Sequence, residues 1–112
     1  MSFVSWMANL FSHRGKAVSL YRSGMVKANK RDYRGAIADY SAAVREPHIP
    51  IDVKAMVLYN RALAYSAVHE DAKSSEDLAT VLEMPQLSPN IKTQAQQRRE
   101  RLRRRNVNTS SP

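Results

Sequence analysis

The chain has 112 residues, 43% of them hydrophobic, no cysteine and a formal charge of +8 at pH 7. A length of that order makes one small domain that buries roughly two thirds of the surface its unfolded chain exposes. The lack of cysteine excludes a disulfide framework and a thiolate metal site, and suits a reducing, cytoplasmic setting.

The predicted elements are helical throughout. Residues 2–12 read as a short amphipathic helix with Phe3, Val4, Met7, Leu10 and Phe11 recurring at helical spacing. His13-Arg14-Gly15 is expected to interrupt it, so that residues 1–14 form a separate N-terminal segment. A second helix runs from Lys16 to Asn29, whose side chain tolerates the left-handed conformation that closes helices. Asp32 caps a third helix to about Glu46. Pro47 and Pro50 force a break, because proline lacks an amide hydrogen and restricts the residue before it. Asp52 is expected to cap the next helix, which extends to Val68, and Asp71 to open another that ends before Pro85. Ser88-Pro89 is a strong start signal for a last helix to about Arg105, with 106–112 as a polar tail. No segment alternates with period two over a useful length, so the fold class is all-α. No apolar run approaches the roughly 20 residues of a membrane span, and the N-terminus lacks the pattern of a secretory signal.

Inside this helical frame one spacing recurs. Leu20, Tyr21, Gly24, Ala28, Tyr33, Ala36, Ile37, Tyr40 and Ala43 are echoed by Leu58, Tyr59, Ala62, Tyr65, Ala72, Ser75, Leu78 and Ala79. Small residues stand where two helices must touch, and aromatic residues where a gap must be filled. The pattern resembles that of tetratricopeptide repeats, in which helix pairs of about 34 residues stack side by side. Gly24, Ala36, Tyr40 and Ala43 stand where that family places its glycine, alanine, bulky aromatic and second alanine. The second copy matches in Tyr59-Asn60, Ala62, Ala64 and Tyr65, but has Ser74 at the expected alanine and Leu78 at the aromatic. Gly24 and Ala62 are 62 − 24, or 38, residues apart, so four extra residues lie in or beside the Pro47–Ile51 connection. The resemblance covers residues 17–84, inside a domain at 15–105, with 88–105 as a terminal capping helix.

What the resemblance implies is a protein-interaction adaptor. The first helix of each pair would line a concave face, bringing Tyr21, Met25, Ala28, Met56, Tyr59, Asn60 and Leu63 together. Of these, Tyr21, Met25, Met56, Tyr59, Asn60 and Leu63 are the expected contacts for a helix or hydrophobic peptide, since methionine repacks around different shapes. The carboxylate clamp by which some of these repeats grip acidic chaperone C-termini is not expected. Asn60 matches one clamp position, but Tyr21 and Met25 stand where a lysine and another asparagine belong.

Two further segments carry alternatives. Phe3, Val4, Trp6, Met7, Leu10 and Phe11 form an apolar face too large to leave in water. It caps the first repeat, docks in a groove of its own or a second copy as a homodimer, or lies on a membrane surface. At the other end, Lys92 to Arg105 holds seven basic residues against Glu100, a net +6 of the total +8. The alternative function is therefore non-specific nucleic-acid binding through the basic patch Arg98, Arg99, Arg101, Arg103, Arg104 and Arg105. That run contains no aromatic residue to stack on a base. An enzyme is not expected. His13, His48 and His69 are far apart and lack second ligands at metal-binding spacing, and no nucleophile elbow, phosphate loop or H-E-x-x-H motif occurs. No cofactor or metal is implied. The carboxylates Glu70, Asp71, Glu76 and Asp77 are expected at helix starts or on exposed faces, serving capping and solubility.

Overall fold

The computed structural model describes the backbone of residues 2–110 and the side chains of residues 15–107. The described residues are all-α, built as antiparallel helix hairpins from α1 (Ser2–Asn29), α2 (Tyr33–Val44), α3 (Ile51–Ala67), α4 (Asp71–Leu82) and α5 (Pro89–Ser110). Helices α1, α3 and α5 make one layer, and α2 and α4 the other, each helix packing on its chain neighbours. None of these helices is long and apolar enough to cross a membrane.

The register of the elements repeats at 38 residues. Helices α2 and α4 begin at 33 and 71, and α3 and α5 at 51 and 89; 71 − 33 and 89 − 51 both give 38. Helix α5 therefore starts where the first helix of a third unit would. The connections obey the same rule. Each holds one non-glycine residue with positive φ, namely Arg31 and His69 within the pairs, His48 and Gln86 between them.

The two turns within pairs are Schellman closures. Asp32 N donates to Lys27 O at 2.8 Å and Arg31 N to Ala28 O at 2.9 Å. Glu70 N donates to Tyr65 O at 2.9 Å and His69 N to Ser66 O at 3.1 Å. These bonds satisfy carbonyls that a helix end leaves orphaned. The left-handed residue is thus Arg31, with φ of 65°, and not Asn29, which stays helical. Asp32 then takes the capping role its identity predicts, accepting from Gly35 N at 3.0 Å. The connections between pairs, 45–50 and 83–88, are longer than those within them, 30–32 and 68–70.

Three boundaries differ from expectation. Pro50, not Asp52, is the N-cap of α3, and Asp52 sits in its first turn, where a carboxylate faces the positive end of the helix. Helix α5 does begin at Pro89 but continues to Ser110, through most of the segment expected as a tail. Helix α1 runs through His13-Arg14-Gly15 without a break. The side chains of the apolar face at residues 3–11 lie outside the described residues, as do residues 111 and 112. A Cβ built on Gly15 meets nothing within 4 Å, and its φ is not positive. Gly15→Ala is therefore expected to stabilise the chain by about 0.5–1 kcal/mol through helix propensity alone. Urea unfolding checks this, and an unchanged midpoint would mean that α1 is not continuous there in solution.

Within the pairs the size pattern explains the packing. Gly24 lies under the ring of Tyr40, so closely that a Cβ there would stand 2.5 Å from Cε1. The same two positions in the next unit are Ala62 and Leu78, a larger residue facing a smaller one, and both are fully buried. Ser74 stands at the expected alanine and is buried too, but its hydroxyl donates to Ala62 O at 2.7 Å, so no polar atom is stranded.

Candidate functional site

One groove of about 610 Å³ opens on the α1–α3–α5 layer. Its walls come from α1, α3, α5 and the α4–α5 connection, and neither α2 nor α4 contributes a residue. Among the described residues three methionines line it, Met25 from α1, Met56 from α3 and Met84 from the connection. Val18 and Tyr21 extend the α1 wall, Ile51 and Val53 the α3 wall, and Leu87 and Ile91 the far side. Met25 and Ile51 are exposed to 39% and 51%, which is costly for residues of this type unless something covers them. Arg22, Asp52, Gln86 and Ser88 provide the polar groups at the groove.

The shape of the α1 wall is held by hydrogen bonding below it. Asn60 Nδ2 donates to Tyr21 Oη at 3.0 Å and to Met56 O at 2.9 Å, which fixes the tyrosine against α3. The rings of Tyr21 and Tyr40 lie 6.1 Å apart and tilted by 44°. Burial raises the Tyr21 hydroxyl above its ordinary value. Burial, then the neighbouring Tyr21 and Asp39, push Tyr40 up to about 12. Both phenols stay neutral across the physiological range, so they act as packing and hydrogen-bonding groups rather than acids. Behind them Asp39 accepts from Ser23 Oγ at 2.6 Å and pairs with Lys27 at 3.0 Å. Partial burial works against that charge, but Ser23 and Lys27 outweigh it and keep Asp39 below the usual carboxylate value.

Of the six contacts expected from the sequence, the structure brings Tyr21, Met25 and Met56 into this groove and places Asn60 just behind it. Tyr59 and Leu63 are elsewhere. Tyr59 is 8% exposed and belongs to the core formed with Leu58, Leu78, Val81 and Leu102. Leu63 packs against the same core. The cause is α5, which lies beside α3 and leaves of the surface that both residues would otherwise present only small clefts at the seam, edged by Arg98 and Arg101. Sequence reasoning missed Met84 and Leu87. The available signal was two apolar residues, two positions apart from Pro85 or less, in a connection with no helix to bury them.

The basic run of α5 is divided among several tasks. Arg103 and Arg104 pair with Glu100 at 2.6 and 3.3 Å. Hydrogen bonding from Arg103, more than that from Arg104, lowers the Glu100 carboxyl to about 2. Arg105 reaches back to Asp71 on α4, with Nε at 3.1 Å from Oδ2, and to Ser66 Oγ at 3.3 Å. Arg98 and Arg101 instead overhang small clefts against α3, and Arg99 is exposed.

Two acidic residues thus do more than cap or solubilise. Asp71 anchors α5 through Arg105, and Asp77, 5% exposed, accepts both hydrogen bonds of a forked pair from Arg61. Among the described residues no cluster of three or more His, Cys, Asp or Glu side chains could hold a metal ion. No protein-family model, curated protein or solved structure matches the chain.

Proposed function

We propose that the chain is a tetratricopeptide-like interaction module, not an enzyme, whose groove at Tyr21, Met25 and Met56 takes an amphipathic helix or hydrophobic peptide of another protein. The observation that carries this reading is the convergence of three methionines from three separate elements on one open apolar groove. Unbranched thioether side chains adapt to a ligand's shape, and anchors spaced along a helix suit such a furrow. The 38-residue register, with Gly24 under Tyr40 and Ala36 fully buried, supports the family reading through the same small-against-large logic.

Nucleic-acid binding is less well supported, because Glu100 and Asp71 already offset part of the charge of Arg103, Arg104 and Arg105. Tyr59 is unsuitable as a test position, since its replacement would open the core. A photo-crosslinking residue at Met25 is expected to capture a protein in nuclease-treated native lysate, with Lys30 as the control position. Met56→Asp should lower that partner's affinity about tenfold or more, the scale of a buried anchor. Capture that disappears with nuclease, or that is equal at Lys30, would reject the groove as the binding site.

A further inference from the structure

Beyond the methionine groove, the seam between α3 and α5 holds two separate small clefts, one of about 130 Å³ at Tyr59 and Gln94 and one of about 150 Å³ at Leu63 and Ser66. Arg98 and Arg101 overhang both clefts. Helices α3 and α5 run in the same direction, because each is antiparallel to α4 between them. The successive lining positions, Met56, Tyr59 and Leu63 on one side and Ile91, Gln94, Arg98 and Arg101 on the other, are steps of three or four residues down two helices. The seam therefore passes from an apolar groove to small clefts edged by cations, and Arg98 lies about 10 Å, two helical turns, beyond Ile91.

The charges along it are not compensated. Glu100 is engaged by Arg103 and Arg104, and Asp71 by Arg105, whereas Arg98 and Arg101 pair with no carboxylate among the described residues. On the opposite wall Arg22 adds a third cation, and in the 38-residue register it is the counterpart of Arg98. Asp52, the one acid among the described residues of the groove, lies at the end away from Arg98 and Arg101.

We infer that the occupant of the groove is an acidic amphipathic segment, with apolar anchors among the methionines and carboxylates one to two turns further along on Arg98 and Arg101. This rests on the groove being the docking site. Guanidinium groups fork onto carboxylates, and a basic or neutral segment would leave them facing like charge or nothing. The recognition is of side-chain carboxylates placed by helical spacing.

The test is a phage-displayed library of peptides about 16 residues long, long enough to span the seam as a helix. Leucine or phenylalanine occupies three positions at helical spacing, all other positions are random, and selection is on the full chain. Aspartate and glutamate should be enriched one to two turns from the anchors, with lysine and arginine depleted. A synthesised winner should lose about tenfold in affinity when its acids become amides, and the Arg98→Gln/Arg101→Gln chain should bind both versions equally. Winners without acidic enrichment, or an acid preference that survives Arg98→Gln/Arg101→Gln, would overturn the inference and leave the groove reading intact. Winners that bind a Met25→Asp/Met56→Asp chain as tightly as the native one, or an empty selection, would overturn both. A single-stranded oligonucleotide that outcompetes the winners through Arg98 and Arg101 would assign these arginines to phosphate instead.

Discussion

Tyr40→Ala is expected to cost about 4 kcal/mol, a large part of the 5–15 kcal/mol that holds a domain of this size folded. The ring is 1% exposed and fills the space between α1 and α2, with Gly24 beneath it and Tyr21 beside it. Truncation leaves a cavity that the two helices are not expected to close, because Ala36 and Ala43, fully buried on α2, already pack there. The reciprocal substitution isolates the contact. Gly24→Ala gains up to about 1 kcal/mol in helix propensity, yet its Cβ would press on Tyr40 at 2.5 and 2.7 Å, so it should lose about 1–2 kcal/mol on balance. Pairing it with Tyr40→Leu copies the Ala62–Leu78 arrangement of the next unit and should recover much of that loss. Urea unfolding of the four chains decides the matter. A Gly24→Ala chain as stable as the native one would show that Tyr40 moves freely and that the close approach is not what sets the pair's geometry.

Residue size at fixed spacing marked Gly24 and Ala36 in the sequence as sites of close helix approach, whereas only the structure shows that the Tyr40 ring lies on Gly24. The Asp32 cap and the Pro89 start were readable for a similar reason, since each is a local signal acting within one turn. Where two local signals competed, position decided between them. Asn29 has the higher intrinsic tolerance for positive φ, yet Arg31 adopts it, because the residue after it must be free to cap α2. Gly15 reads as a breaker, but one glycine costs only about 1 kcal/mol, less than the helix on both sides can absorb.

The groove was half legible. Tyr21, Met25 and Met56 follow from projecting the first helix of each unit onto one face. Tyr59 and Leu63 follow from the same projection and are misplaced by it, because it treats the last helix as an end cap and not as a wall beside α3. Met84 and Leu87 could not be found that way at all. They belong to a connection, and only the docking of α5 turns that connection toward the groove. The sequence separation of the partners explains the missed ion pairs as well: Arg105 and Asp71 are 34 residues apart, and helical periodicity says nothing about which basic residue meets which acid.

Asp77→Ala is the second large effect, a loss of about 3 kcal/mol, at the low end for breaking a buried ion pair. Arg61 Nε and Nη2 donate to the two oxygens of Asp77 at 2.8 and 2.7 Å, and Nη1 to Ser41 Oγ at 3.1 Å. One guanidinium thereby ties α2, α3 and α4 together, and its carbon lies 5.6 Å from the centre of the Tyr65 ring. Hydrogen bonding to Asp77 holds its charge more firmly than in water, ahead of the opposing effect of burial. Removing the carboxylate strands that cation with a hydroxyl and a ring in place of an anion. Its side chain keeps 19% exposure, so some rehydration is open to it and the cost stays below that of a sealed pair. Arg61→Met/Asp77→Leu, which removes both charges and keeps the volume, should come within about 1 kcal/mol of the native chain. A double-mutant cycle by urea unfolding measures the coupling. If Asp77→Ala costs under about 1 kcal/mol, the pair behaves as a surface contact, and the angle between the two helix pairs must be set by the apolar seam alone. If the full loss appears while the double variant stays stable, the ion pair contributes little net energy. Its effect is then to penalise any arrangement of α2, α3 and α4 that separates Arg61 from Asp77, and so to hold Met56 of α3 in its place in the groove.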